Sequence, residues 1–92
     1  MKIRYALTAR FDIDRIHEFL SERNPRAASK VMERIREAVA RLGEFPYMGH
    51  VGRAPDTYEW TVRGLPYIIV YGVDEDHGEL TILAVFHGAQ NR

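Results

Sequence analysis

The sequence has no cysteine, no excess of either charge and no long apolar run. Without cysteine, the 92-residue chain can form no disulfide framework, thiolate nucleophile or cysteine-based metal site, which suits a reducing cytosol. Its 13 basic residues balance 13 acidic ones, so nucleic-acid binding would require a local patch rather than bulk charge. No window approaches the ~18 apolar residues of a membrane span, and the N-terminus lacks a signal-peptide core. We therefore expect a cytoplasmic protein.

The usual arrangements of catalytic groups are also absent from the sequence. Only Ser21 and Ser29 could supply a serine nucleophile, and neither follows a strand-to-helix turn. No glycine-rich segment between a strand and a helix is typical of a phosphate-binding loop. Four histidines are present, none paired with another at the spacing of metal ligands: His17, His50, His77 and His87. We therefore expect no metal site and no cofactor.

Three consecutive strands are predicted in the second half of the chain. Residues 58–63 alternate apolar and polar side chains, which places Glu59 on the face toward water. Residues 67–73 are almost wholly apolar, which is typical of a central strand covered on both faces. The third strand is residues 80–87. Because the connections are short, the three strands should form an antiparallel meander.

One more strand and a helix are predicted at the N-terminus. Residues 3–7 alternate in polarity, which predicts a strand at an edge of the meander or beside its last strand. Thr8 is the expected N-cap of a first helix that ends near Arg23. Its core-facing stripe comprises Ile13, Ile16, Phe19 and Leu20. Asn24 and Pro25 should end this helix and begin the next, with Asn24 as cap.

The second helix has the clearest helical period in the chain. Its apolar face recurs every three or four residues from Ala28 to Leu42, and Gly43 is the expected stop. Residues 44–56 read as an irregular loop that displays Arg53 outward and is held to the core by four anchors: Phe45, Tyr47, Met48 and Val51. The order predicts a single α+β domain over residues 1–92, with helices packed on one face of the sheet.

Four side chains near the ends of the predicted strands could carry chemistry: Arg63, Tyr67, Tyr71 and His87. A guanidinium that holds a phosphate and an imidazole or phenol that moves protons would suit metal-free cleavage of RNA by its own 2′-hydroxyl. One arginine alone stabilises a pentavalent phosphate poorly. The alternative is that the tyrosines pack the sheet and Arg63 is a solvated strand end, and the residue environments favour this packing interpretation.

Three segments, in this order, resemble the RelE/ParE superfamily of toxins from type II toxin–antitoxin systems. They are Pro46–Gly49, the run TVRGLPYIIVYGVD from Thr61 to Asp74, and ILAVFHGAQ from Ile82 to Gln90. The resemblance covers essentially the whole chain. It implies the fold predicted above and one of two activities: cleavage of messenger RNA in the ribosomal A site by RelE-like members, or poisoning of DNA gyrase by ParE-like members.

The sequence departs from the RelE-like ribonucleases at the positions where those enzymes carry cations. Ile68 stands where the strand arginine is expected, and Tyr58 stands where many relatives begin a strand with arginine. The basic residues expected after the last strand are replaced by Gly88, Ala89 and Gln90. The retained residues are Arg63, Tyr71 and His87. These losses, together with the neutral net charge, favour the ParE-like branch.

The resemblance therefore implies a ParE-like toxin that targets DNA gyrase and is neutralised by a cognate antitoxin in a hetero-oligomeric complex. DNA would be contacted only through the antitoxin, with no cofactor and no membrane. Two alternatives stay open: a ribosome-dependent endoribonuclease using Arg63, Tyr71 and His87, and a decayed toxin that only binds antitoxin. Expected target contacts are Arg53, Arg63 and His87. Expected antitoxin contacts are Phe11, Arg34 and Arg41.

Overall fold

Two helices and five strands make up the structure, a computed structural model that describes residues 1–89. In chain order they are β1 (Lys2–Tyr5), α1 (Leu7–Arg23), α2 (Pro25–Glu44), β2 (His50–Val51), β3 (Tyr58–Thr61), β4 (Tyr67–Asp74) and β5 (Glu79–His87). The strands form one sheet in the order β1-β5-β4-β3-β2, with both helices packed on one face. The predicted α+β fold and the β3-β4-β5 meander are confirmed.

The N-terminal strand lies beside the last strand, one of the two places predicted for it. It runs parallel to β5, with Tyr5 opposite Ile82. The expected Thr8 N-cap is wrong: α1 begins at Leu7 after Ala6, with no side-chain cap. The Thr8 hydroxyl instead donates to the carbonyl of Leu83 at 2.7 Å, because β1 is too short to pair with that part of β5.

The corner between the helices forms as predicted, whereas the end of the second helix does not. Asn24 accepts a hydrogen bond from the Ala27 N–H at 3.2 Å, and Pro25 begins α2. Gly43 was expected to stop α2, but it lies inside the helix and is buried. A Cβ at that position would come within 3.0 Å of Ile3 Cδ1, so the glycine permits close approach of β1.

Neither helix combines the length and the hydropathy that a membrane span requires, within residues 1–89.

The central strand β4 differs from its prediction, because only one of its faces is covered. Tyr67, Ile69 and Tyr71 are buried toward the helices, while Ile68 and Val70 on the outer face are half-buried. Since both helices pack on the inner face, an apolar sequence here does not imply burial on both sides.

Several aromatic and apolar side chains assigned to the core lie at the surface instead. In the loop, Met48 packs against the core, but Phe45, Tyr47 and Val51 are 54%, 50% and 77% exposed. In α1, the expected core residue Phe19 is 54% exposed. Arginines stack over two of these rings, which keeps part of their apolar area from water and makes an exposed position less costly.

A buried carboxylate lies under the loop and accepts a hydrogen bond from it. Glu59, expected on the face toward water, is only 6% exposed because the segment that includes β2 folds over it. Its carboxylate accepts a hydrogen bond from the Arg53 N–H at 3.4 Å and lies 3.9 Å from the ring of His50. Gly52 lies so close that a Cβ there would come 3.3 Å from Glu59 Oε2. β2 itself has no sequence signal, since it is two residues long.

Candidate functional site

Tyr71, one of the proposed catalytic residues, is part of the core. It is fully buried, and its hydroxyl donates to the Pro46 carbonyl at 2.8 Å and accepts from the Gly49 N–H at 3.1 Å. The ring also stacks on Tyr58, with centroids 5.6 Å apart. Both hydroxyl functions are therefore used to tie the loop to the sheet, which is a structural task.

His87 ends β5 and lies opposite the first residue of β4. It pairs with Tyr67 across the sheet, and the two rings meet edge to face with centroids 5.6 Å apart. Tyr67 and Tyr71 are four residues apart on the strand, a separation of about 13 Å. The structure thus does not bring Tyr71 to His87.

The imidazole of His87 faces a cleft of about 420 Å³ between α1 and β5, which we call the histidine cleft. Its lining residues are Asp12, Arg15, Ile16, Phe19, Tyr67, Val85, Phe86 and His87. The Ala89 N–H donates to Nδ1 of His87 at 3.1 Å, which assigns the ring proton of the neutral form to Nε2. Asp12 accepts from the Val85 N–H at 3.0 Å, so this carboxylate caps the β5 edge. One guanidinium and one carboxylate balance each other in the lining.

Burial changes the pKa values of Tyr67 and Tyr71, the two buried tyrosines of β4. It raises the pKa of Tyr67 and is the main cause of the raised pKa of Tyr71, although the hydrogen bond from Gly49 opposes it there. Both phenols therefore remain protonated at neutral pH. Neither is suited to act as a general base.

A second cleft, of about 310 Å³, lies between α2 and β3, and we call it the basic cleft. Its rim carries Arg34 and Arg41 from α2 and Arg63 from the β3–β4 turn. A guanidinium nitrogen of Arg34 donates to the backbone carbonyl of Arg63, which fixes the turn against the helix. The floor is largely apolar, being formed by Ala38, Met48, Trp60 and Val62. The basic cleft therefore combines fixed cations with apolar surface.

The three arginines of the basic cleft keep their charges uncompensated by ion pairs. Within residues 1–89, every ion pair involves other residues: Arg4–Glu79, His50–Glu59 and His77–Asp74. Glu37 is the single carboxylate in the lining, and it forms no ion pair with either neighbouring arginine of its helix. The neutral chain thus carries a local excess of positive charge at this position.

The outer face of α1 carries the third notable surface. Leu7, Phe11 and Phe19 follow one another at multiples of four residues and are 83%, 62% and 54% exposed. Arg15 stacks over the ring of Phe11 and Arg23 over that of Phe19, at 5.7 and 3.7 Å from the centroids. Phe11 thus lies off the core stripe, as predicted. Exposed apolar side chains repeated along one helix face make this surface a candidate binding site.

Of the predicted contacts, Arg53 lies apart from these surfaces. Arg53 is exposed on the loop that covers Glu59, and it lines neither cleft. Arg34 and Arg41, predicted to meet one partner, share a cleft with Arg63, predicted to meet another. No cluster of three or more histidine or carboxylate side chains able to hold a metal ion occurs in residues 1–89.

Sequence reasoning missed two residues of the basic cleft that define its character. Trp60 lies on the apolar face of the strand predicted over residues 58–63, where it is half-buried and forms part of the floor. Glu37 is one of several charged residues of α2. No local signal identifies either residue, because the cleft joins α2, which ends at Glu44, to a strand that begins only at Tyr58.

Comparison with known families gives a match over nearly the whole chain. The family described as the ParE toxin of the type II toxin–antitoxin system parDE matches residues 3–92. A protein of Sinorhizobium fredii (strain NGR234), named "Putative toxin Y4kP", is 37% identical over 89 residues, which are 97% of this chain and 90% of that protein.

Solved structures share the fold. The chromosomal ParDE system of P. aeruginosa matches with a TM-score of 0.82 and 22% identity, over 95% of each chain. The RelBE2 toxin–antitoxin complex of Mycobacterium tuberculosis matches with a TM-score of 0.65 and 26% identity, over 97% of this chain and 92% of that one. Isolated E. coli RelE matches with a TM-score of 0.73 and 16% identity, over 99% of this chain and 87% of that one.

Proposed function

The chain belongs to the family of ParE toxins of type II toxin–antitoxin systems, within the RelE/ParE superfamily, and we propose that it stops growth by binding DNA gyrase. It acts in the cytoplasm as a binding protein rather than as a ribonuclease. A cognate antitoxin neutralises it. The observation that carries this proposal is that the imidazole of His87 and the guanidiniums of Arg34, Arg41 and Arg63 line two different clefts.

RNA cleavage without a metal requires a proton-transfer group beside cations that hold the phosphate. In this chain the two functions lie in different clefts. His87 lines the histidine cleft, where Arg15 is balanced by Asp12, and Arg63 lines the basic cleft, which contains no imidazole. Tyr71, the third member of the ribonuclease set, is committed to the core. This arrangement supports binding over catalysis.

The outer face of the sheet supports the same conclusion. Ile68, which replaces the expected arginine, lies opposite Phe86 there, and Val70 continues the apolar surface. Gly88 and Ala89, which follow the last strand, are exposed and uncharged. Gln90 lies outside the described residues. An apolar face of this kind offers little to the phosphates of messenger RNA.

Two observations support an antitoxin partner: the similarity of the fold to structures of toxin–antitoxin systems, and the exposed apolar surface of α1. The ParDE and RelBE2 structures are toxin–antitoxin systems by name. On this chain, the exposed row of Leu7, Phe11 and Phe19 gives an apolar strip on which a disordered segment can fold as a helix. DNA is then contacted only through the antitoxin.

The deciding experiment measures replication and translation after the chain is expressed alone. We expect a DNA-damage response and loss of DNA synthesis before protein synthesis falls. In vitro, the purified chain should inhibit supercoiling by gyrase, and the antitoxin should relieve that inhibition.

Two other results would replace the proposal. Ribosome-dependent cleavage of messenger RNA by the purified chain would establish the endoribonuclease alternative. Growth that continues normally while the intact chain accumulates and binds its antitoxin would identify a decayed toxin that serves only as a binding module.

A further inference from the structure

The basic cleft lies directly beside an unpaired stretch of the sheet edge. β2 pairs with β3 only at Tyr58 and Glu59. The Val62 N–H donates to the Tyr67 carbonyl, so alternation along the strand turns the N–H and C=O of Thr61 away from β4, toward the outer edge. Within residues 1–89 no backbone hydrogen bond continues the β2 ladder to Thr61, because the chain turns away at Met48. Thr61 therefore offers a donor and an acceptor to another chain.

The neighbouring side chains determine what such a chain would meet. Trp60 and Val62 face the helix side of the sheet and form part of the floor of the basic cleft. In an antiparallel pair, residues directly opposite one another point to the same face, with Cβ atoms about 5 Å apart. Gly49, which precedes His50 in the β2 ladder, already lies against β3 beside Glu59. The open position is the one opposite Val62, and a residue laid there would point toward the cleft lined by Arg34, Arg41 and Arg63.

From this geometry we propose that the basic cleft and the Thr61 edge together form the docking site for an extended acidic segment of the antitoxin. The inference rests on the proposed antitoxin partner and names the chemistry of its contact. A carboxylate of the segment enters between the guanidiniums, its apolar neighbours cover Met48 and Trp60, and its main chain pairs with Thr61. Because Arg34 is bonded to the Arg63 carbonyl, the turn that carries Arg63 is already positioned.

The open sheet edge favours a peptide over a nucleic acid as the occupant. The free N–H and C=O of Thr61 match a main chain in spacing and direction. In consequence, the antitoxin covers Arg63 when it binds, so a residue proposed to contact the target is masked in the complex.

The test uses the full chain and the protein encoded by the neighbouring small open reading frame. Binding is measured by isothermal titration calorimetry for the wild type and for the double variant Arg41→Glu with Arg63→Glu. The matched control, Arg10→Glu with Arg36→Glu, makes the same charge change in a separate cleft of about 390 Å³. Arg41→Gln with Arg63→Gln serves as a milder variant, and circular dichroism melting confirms that each variant folds.

We expect the Glu double variant to weaken binding at least ~100-fold and the control to stay within about fivefold, because paired charges at an interface couple strongly. Equal weakening by the Glu double variant and by the control would mean that overall charge, not the cleft, determines binding, and would overturn the inference. Wild-type affinity in the Glu and Gln double variants would overturn it as well, while leaving the proposal of an antitoxin partner intact. If the wild type forms no complex at all, the proposed partner itself fails. Tight binding of a 20-nucleotide single-stranded DNA, lost in the Glu variant, would assign the cleft to nucleic acid instead.

Discussion

The basic cleft and the histidine cleft are of similar size but differ in what they hold. The basic cleft carries three arginines and one glutamate over an apolar floor, and its lining includes no histidine. The histidine cleft carries an imidazole and a buried phenol, with one arginine balanced by one aspartate. The three arginines and the imidazole of His87 thus line different clefts. The comparison shows that residues grouped by type in the sequence, such as Arg63 and His87, need not line the same cleft in the fold.

The largest effect that would separate the two clefts is on toxicity. Arg63→Ala should weaken target inhibition by about 1–4 kcal/mol, roughly 5- to 1,000-fold, because arginine is a common interface anchor. His87→Ala should change inhibition less than about fivefold, since it removes no anchor of the basic cleft. Supercoiling assays with purified variants measure both. Arg26→Ala and His77→Ala, both exposed, are the matched controls. Complete loss of activity in His87→Ala would contradict the comparison.

The next largest effect concerns Tyr71, which belongs to neither cleft. Tyr71→Phe leaves the Gly49 N–H and the Pro46 carbonyl without a partner, so we expect the free energy of unfolding to fall by about 1–3 kcal/mol. Urea denaturation measures this, and inhibition per folded molecule should be unchanged. The control is Tyr58→Phe, whose hydroxyl makes no hydrogen bond within residues 1–89. A stable Tyr71→Phe protein without activity would restore Tyr71 to a catalytic role.

A smaller effect is expected from the carboxylate that shapes the histidine cleft. Asp12→Ala removes the acceptor of the Val85 N–H and should cost about 1–2 kcal/mol of stability. Inhibition by the folded variant should remain near that of the wild type. Asp14→Ala, an exposed carboxylate on the same helix, is the control. Loss of inhibition without loss of stability would show that the histidine cleft takes part in function.

The smallest effect lies on the loop that borders the basic cleft. The hydrogen bond from Tyr47 to Glu75, 2.7 Å long, is the main cause that raises the pKa of Tyr47 to about 12. Since the folded-state pKa exceeds the ordinary value of about 10, this contribution is present below pH ~10 and is lost as the pH rises toward 12. Stability measured between pH 10 and 12 should therefore fall less steeply in Tyr47→Phe than in the wild type. If stability falls equally steeply with pH in Tyr47→Phe and in the wild type, this prediction is wrong.

Predictions from the sequence succeeded where structure depends on neighbouring residues. The period of α2, the Asn24–Pro25 corner and the meander follow from side-chain spacing and from short connections. Errors occurred where distant segments meet. Gly43 continues α2 because β1 packs against it, and Thr8 bonds to β5 rather than to its own helix. The burial of Glu59 depends on a loop folding over it.

For the candidate site, too, the sequence identified individual residues and the tertiary structure decided how they are grouped. The sequence alone identified Arg34, Arg41, Arg63, Tyr71 and His87 as residues of interest, since charge, aromaticity and strand ends are local properties. Only the tertiary structure decided that the three arginines share one cleft, that His87 faces another, and that Tyr71 is inside the core. The contact between Arg34 and Arg63 joins residues 29 positions apart. Such contacts depend on how a helix packs across a sheet, which residue spacing along the chain does not specify.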